Sequence, residues 1–128
     1  MPIVFLIDTD VLVDYLRDET SAVSYLESLP PPLLISAISV AELYAGVREG
    51  DERLAREEFL DAFEVVPVDE EIAVAGGLYR RGYGKSHGAG LTDTLIAATT
   101  TLRNATLVTL NHKDFPMPLS LTLPYQKA

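Results

Sequence analysis

Short unbroken apolar runs alternate along this chain with longer segments in which apolar residues recur every three to four positions. The runs fall at 3–7, 33–36, 64–68 and 105–109. Each is too short for a buried helix and has the continuous character of a strand covered on both faces. Between them, Val11, Leu12, Tyr15 and Leu16 share one helical face, and Val23, Leu26 and Leu29 continue a second helix up to Pro30-Pro31-Pro32, which end it. Val40, Leu43, Tyr44 and Val47 follow the i, i+3, i+4, i+7 pattern, and Leu54, Phe59, Leu60 and Phe63 predict a helix with a charged outer face, with Gly46 and Gly50 at the join.

Further on, Asp69 is placed to cap a long helix, with Glu70 and Glu71 in its first turn and Ile72, Ala75, Tyr79 and Tyr83 on its apolar face. Residues 91–103 predict another, in which Leu95, Ala98, Thr99 and Leu102 share a face and small alanines permit close packing on a sheet. Leu119, Leu121 and Leu123 alternate with polar residues between two prolines, the pattern of a half-buried edge strand. Strands separated by helices imply parallel pairing through right-handed crossovers. The expectation is a three-layer α/β fold, a parallel sheet of about five strands flanked by helices, in a single domain spanning 1–128 without repeat or linker.

Composition narrows the setting. The 128 residues are 48% hydrophobic, enough for one real core, and include no cysteine, so there is no disulfide framework, thiolate metal site or cysteine nucleophile. No basic region precedes the first apolar run, which is far shorter than the roughly 20 residues of a membrane span. The expectation is a soluble cytoplasmic protein. A formal charge of −9 repels polyanions at long range, so any nucleic-acid contact must be local.

The candidate chemistry begins where the first run ends on Asp8-Thr9-Asp10. In open α/β sheets, ligands bind in the crevice beyond the carboxyl ends of the strands. Asp8 lies on that rim, Asn111 follows the fourth run on the same rim, and Glu42 and Asp93 stand near helix starts that can point back to it. Each acid also has a plain structural reading. Ser39-Val40-Ala41-Glu42 matches a capping box, Thr92 can cap the helix that holds Asp93 in its first turn, Asp10 can cap a helix beginning at Val11, and Asp8 can close a turn. The conjunction favours chemistry, because carboxylates gathered together raise one another's pKa unless a cation offsets the repulsion. With only His87 and His112 as nitrogen donors, the ligands are hard oxygens suited to Mg²⁺ or Mn²⁺. Hydrolysis of a phosphodiester is the reaction such a centre serves.

Four blocks carry a family resemblance. The segment from Leu6 to Leu16 resembles the opening of PIN-domain ribonucleases, specifically VapC-type toxins. The stretch from Ser39 to Gly46, the stretch from Leu91 to Thr99 and the closing stretch from Ala105 to Phe115 resemble that family's later blocks in order. The resemblance implies a PIN fold and an endoribonuclease whose catalytic acids are Asp8, Glu42 and Asp93, with Mg²⁺ (or Mn²⁺) held mainly by Asp8 and Asp93, Glu42 near the attacking water, and Thr9, Asp10 and Thr109 in support. It also implies a toxin restrained by a cognate antitoxin, and a homodimer. Many relatives carry a fourth acid after the closing strand; this chain has Asn111 there and its nearest acid is Asp114. Either residue is a candidate additional ligand, and a second metal ion is an open question.

Arg80, Arg81, Lys85 and His87 precede the Asp93 helix, and Lys113 lies beyond Asn111. These cations are candidates for gripping RNA phosphates, although cations in the last turns of a helix also meet its negative end favourably. Tyr79 and Tyr83 fit a core face better than base stacking, and Gly88 and Gly90 a turn. Two further readings remain. Asp8-Thr9-Asp10-Val11 also resembles the opening of haloacid-dehalogenase-type phosphatases, with Leu12 departing from that pattern. The altered fourth position also allows a PIN fold retained as a binding module.

Overall fold

The computed structural model describes residues 2–126; Met1, Lys127 and Ala128, at the ends of the expected domain, lie outside the described residues. Five parallel strands form one sheet in the order β3-β2-β1-β4-β5: β1 (Phe5–Ile7), β2 (Leu33–Ser36), β3 (Glu64–Val66), β4 (Thr106–Val108) and β5 (Leu121–Thr122). Six helices flank it: α1 (Thr9–Leu16), α2 (Thr20–Ser28), α3 (Ala37–Ala45), α4 (Asp51–Leu60), α5 (Glu70–His87) and α6 (Leu91–Leu102). The expected three-layer α/β architecture is present, with strands shorter than the apolar runs that announce them. None of the described helices is long and apolar enough to cross a membrane.

Side-chain alternation divides the core. Leu6, Leu34 and Leu107 point to one face, against Ile72, Ile96 and Ala97, whereas Ile7, Ile35 and Val108 point to the other, against Val11, Leu12, Leu26 and Leu43. A strand buried on both faces leaves no polar position within it, which is why these strands read as continuous runs. Helix α6 lies in the first of these layers with Thr99 and Thr100 fully buried. Their hydroxyls donate to the carbonyls of Leu95 and Ile96 at 2.8 and 2.9 Å, so burial leaves neither without a partner.

Two expected caps are displaced. Strand β2 passes straight into α3, and Ser36, not Ser39, is the N-cap, its Oγ accepting from the Ile38 N–H at 3.0 Å. Ser39 and Glu42 therefore lie inside the helix and form no capping box. Asp8, not Asp10, caps α1, which begins at Thr9. Helix α6 begins after Gly90 with no side-chain cap, so Thr92 does not serve as one. Asp69 does cap α5, accepting from the Ile72 N–H at 2.9 Å. Gly88 ends that helix in the left-handed conformation (φ 66°) that glycine adopts without strain. Tyr79 and Tyr83 pack against the core, as their spacing predicts.

The adjacent glycines of α5 make opposite demands. A Cβ on Gly76 would lie 2.6 Å from Leu95 Cδ2 and 3.2 Å from Leu95 Cα of α6, whereas one on Gly77 meets nothing within 4 Å. Gly76 lets α5 approach the helix that carries Asp93. Gly76→Val should therefore cost about 1–3 kcal/mol through overpacking, and Gly77→Ala should add up to about 1 kcal/mol of helix propensity. Thermal denaturation of the two variants checks this; equal shifts of the same sign would contradict it.

Candidate active site

The sheet order reverses between β1 and β4: the chain builds outward from β1 to β3, then crosses to the opposite side of β1. Adjacent strands whose connections depart in opposite directions leave a crevice at their carboxyl ends. Asp8 follows β1 and Thr109 follows β4 at this point, joined by the Asp8 N–H donating to the Val108 carbonyl at 2.9 Å. A cavity of about 340 Å³ opens above, lined by Asp8, Thr9, Asp10, Glu42, Asp93, Asn111 and Asp114, together with Val13, Asp14 and Arg17. A cavity of about 400 Å³ near Ile3 and Pro118 contains none of these acids. It is larger, but no ionisable side chain lines it.

Asp8 is 6% exposed. One carboxylate oxygen accepts from the Thr9 N–H at 2.8 Å, the other from the Thr109 hydroxyl at 2.8 Å. Burial above all, then the neighbouring charge of Asp10, pushes its pKa up to about 7, against the lowering effect of those two hydrogen bonds. Asp93, in the first turn of α6, is pushed up to about 6 by burial and then by the charges of Asp8, Asp114 and Glu42. Five acids from four separate segments thus share one electrostatic environment.

Thr9 links two helices. Its hydroxyl donates to Glu42 Oε1 at 2.7 Å and lies 2.7 Å from the hydroxyl of the fully buried Ser39. Ser39, one turn before Glu42 on α3, is therefore part of the support of the site. Asp10 is also raised, chiefly by burial. Its Oδ1 accepts from the Val11 N–H at 2.8 Å, and its Oδ2 accepts from the Leu110 N–H at 3.0 Å and from Asn111 Nδ2 at 2.9 Å. With both oxygens engaged by local donors, it braces α1 against the segment after β4.

Every expected acid thus reaches the one cavity, with Thr109 buried beneath it. Arg80, Arg81, Lys85 and Lys113 do not line it. Arg17 does, and among the described residues it makes no ion pair. The sequence carries the signal for it: Asp10, Val13, Asp14 and Arg17 stand at i, i+3, i+4 and i+7, a face of α1 opposite its apolar one. Among the described residues, no three acidic or histidine side chains stand close enough together to enclose a metal ion. The groups in the lining that can donate to a metal are nonetheless oxygens, and its carboxylates repel one another, which is the donor chemistry of an Mg²⁺ or Mn²⁺ site.

The PIN domain model matches residues 5–116, the span from β1 to just past the turn that carries Asp114. The chain belongs to the PIN domain family. Relatives of this PIN domain include Ribonuclease VapC10 of Mycobacterium tuberculosis, 41% identical over 94% of this chain and 92% of its own length. Ribonuclease VapC19 of the same organism is 42% identical over 94% of this chain and 98% of its own length. A chain of a toxin-antitoxin complex from Klebsiella pneumoniae superposes with a TM-score of 0.84 at 29% identity, covering 95% of this PIN domain and 98% of that chain. The likeness covers 94–95% of the chain, not only its acidic blocks.

Proposed function

We propose that this PIN domain is an endoribonuclease that hydrolyses RNA phosphodiester bonds with the help of a divalent cation, Mg²⁺ or Mn²⁺, and that it is the toxin of a toxin-antitoxin pair. The observation that carries the reading is the convergence of Asp8, Glu42 and Asp93 on one cavity at the sheet's switch point. Relatives named ribonucleases at more than 40% identity support the reaction, and a toxin-antitoxin complex of the same fold supports an antitoxin partner.

Asp8 and Asp93, with Glu42, are the residues that would hold the cation. When bound, a divalent cation supplies Lewis acidity at the phosphodiester and favours ionisation of the attacking water. The protein's own groups do the rest. The Thr9 N–H and Thr109 hydroxyl fix both oxygens of Asp8. The Thr9 hydroxyl holds Glu42 Oε1, leaving Oε2 to take the proton of the attacking water. Asp10 binds α1 to the segment after β4, so that these groups keep their places.

Arg17 gives RNA a cationic contact within an acidic rim, next to the reacting phosphate. Arg17→Ala should raise KM for RNA about fivefold or more with little change in kcat, and lower the slope of log affinity against log salt by about 1. A wild-type salt slope in the variant would remove Arg17 from the substrate path. Arg80, Arg81, Lys85 and Lys113 lie outside the cavity and are proposed only as contacts to more distant phosphates. The decisive experiment is cleavage of structured RNA by the purified chain with Mg²⁺ or with EDTA. Cutting that survives EDTA, or an absence of cutting with Mg²⁺, contradicts the reading.

A further inference from the structure

A second cavity adjoins the acidic one. It holds about 380 Å³ and is lined by Leu110, Asn111, Leu123, Tyr125 and Gln126, a size within the roughly 300–1,000 Å³ of small-ligand pockets. Among the described residues no acid, lysine, arginine or histidine lines it. Asn111 belongs to both cavities. Since a carboxylate can only accept, the Asn111 group that lies 2.9 Å from Asp10 Oδ2 is its NH₂, which turns Oδ1 to other donors. Among the described residues nothing donates to that oxygen, and the Gln126 side chain makes no hydrogen bond. Tyr125 is the fixed part of the lining. Its hydroxyl donates to Oδ2 of the buried Asp14 at 2.8 Å, and its ring meets Tyr25 of α2 edge-on, with 6.5 Å between centroids. Burial, then the bond to Asp14, holds the phenol above its ordinary range, so the ring stays neutral.

Resting on the ribonuclease reading above, we infer that this pocket is a subsite for the base of a nucleotide that flanks the scissile phosphate, with Tyr125 and the two leucines against the face of the base and Asn111 and Gln126 at its edge. The lining suits a base and not the backbone that carries it. A phosphate finds no Arg or Lys there, and the Asn111 NH₂ is already given to Asp10. A base is flat, uncharged and rimmed with donors and acceptors, and single-stranded RNA offers its bases to aromatic rings and to side chains that read their edges. The position agrees. The Asn111 main-chain N–H donates to Thr109 Oγ1 at 3.1 Å, and Thr109 donates to Asp8, so the pocket begins where the reacting centre ends. A base seated in it belongs to a nucleotide next to the cut. The hold of Asp14 on the hydroxyl sets the ring in place before RNA arrives, which spares the ordering cost of a free side chain.

An RNA that the wild-type chain cuts in Mg²⁺, remade with the base removed from one unpaired nucleotide at a time around the cut, tests this on three chains. At one flanking position, loss of the base is expected to lower wild-type kcat/KM about tenfold or more, the scale of one base stacked on an aromatic ring. Tyr125→Ala should cut the complete RNA more slowly by a similar factor and respond to loss of that base by less than about twofold, because the two changes remove one contact. Gln126→Ala, an exposed change, should alter which base is preferred at that position and no other. The inference is overturned if no missing base slows the wild type, the result expected of a pocket that takes a protein segment. It is also overturned if Tyr125→Ala feels the loss as strongly as wild type does, or if Gln126→Ala keeps the wild-type preference. Should Tyr125→Ala fail to fold, the other two measurements decide. If wild type cuts no RNA, the ribonuclease reading and this inference fall together; if it cuts every abasic RNA equally well, the inference alone falls.

Discussion

Asp8→Asn should lose RNA cleavage by roughly 100-fold or more while melting at a higher temperature than wild type in the absence of divalent cations. The two effects have one origin. Asp8 combines deep burial with a neighbouring acid, and its ionised form is costly for that reason. Asparagine is as good an N-cap as aspartate, and its oxygen can still accept from the Thr9 N–H. The new NH₂ can face Thr109 Oγ1, whose own hydrogen is free to turn to Asp10 Oδ2, now 3.5 Å away. No buried polar atom is stranded, and a charge is removed. Each pKa unit of displacement corresponds to about 1.4 kcal/mol, so the gain at neutral pH is on the order of 2–4 kcal/mol. Thermal melts in EDTA, paired with single-turnover cleavage in Mg²⁺, check both halves. A variant that cuts within tenfold of wild type would remove Asp8 from the reaction, and one that melts lower would show that the charge is not a burden to the fold.

The second expectation is an inverted dependence of stability on pH. Asp8 and Asp93 titrate near 7 and 6 in the folded protein, against an ordinary value of 3.8. Between those limits the folded state holds more protons than the unfolded one, so stability falls as pH rises. The penalty is full above pH 7, shrinks on acidification, and is gone by about pH 4. Cation-free protein should therefore gain stability from these groups on going from pH 8 to pH 5. Mg²⁺ should raise the melting temperature strongly at pH 8 and little at pH 5, where protons occupy the same oxygens. Asp8→Asn lacks the largest shift and serves as the reference for all other titrating groups. Melting curves of both chains across this range decide the matter, parallel slopes contradicting it.

How much of this was legible in the chain depended on how local each feature is. The strand-to-acid junction at Asp8 was readable because a strand buried on both faces writes itself as an apolar run that ends where the crevice begins. Asp93 was readable for the same local reason, in the first turn of a periodic helix. The capping of α3 was not: Ser36 and Ser39 are three residues apart and chemically equal, and the direct passage of β2 into the helix selects the earlier one. That freed Ser39 for Thr9, a partner 30 residues away. The apolar periodicity of α1 does not single out Arg17, which stands on the opposite, polar face of that helix, the face that lines the site. Asn111 was ambiguous for a deeper reason, since the carboxylate that orients its amide lies 101 positions earlier.

That separation matters to a chain emerging from the ribosome. The hydrogen bond from Thr109 to Asp8 also spans 101 positions, and β1, at the centre of the sheet, waits for β4 before one of its edges is covered. An incomplete chain can carry Asp8, Glu42 and even Asp93, but only the local Thr9 N–H then holds the first acid, its second oxygen lacking the Thr109 hydroxyl, and long-range pairings of this kind form late. Synthesis must run to about residue 111 before the cutting centre can assemble, so nascent fragments of this protein are expected to be harmless to the RNA that surrounds them as they are made.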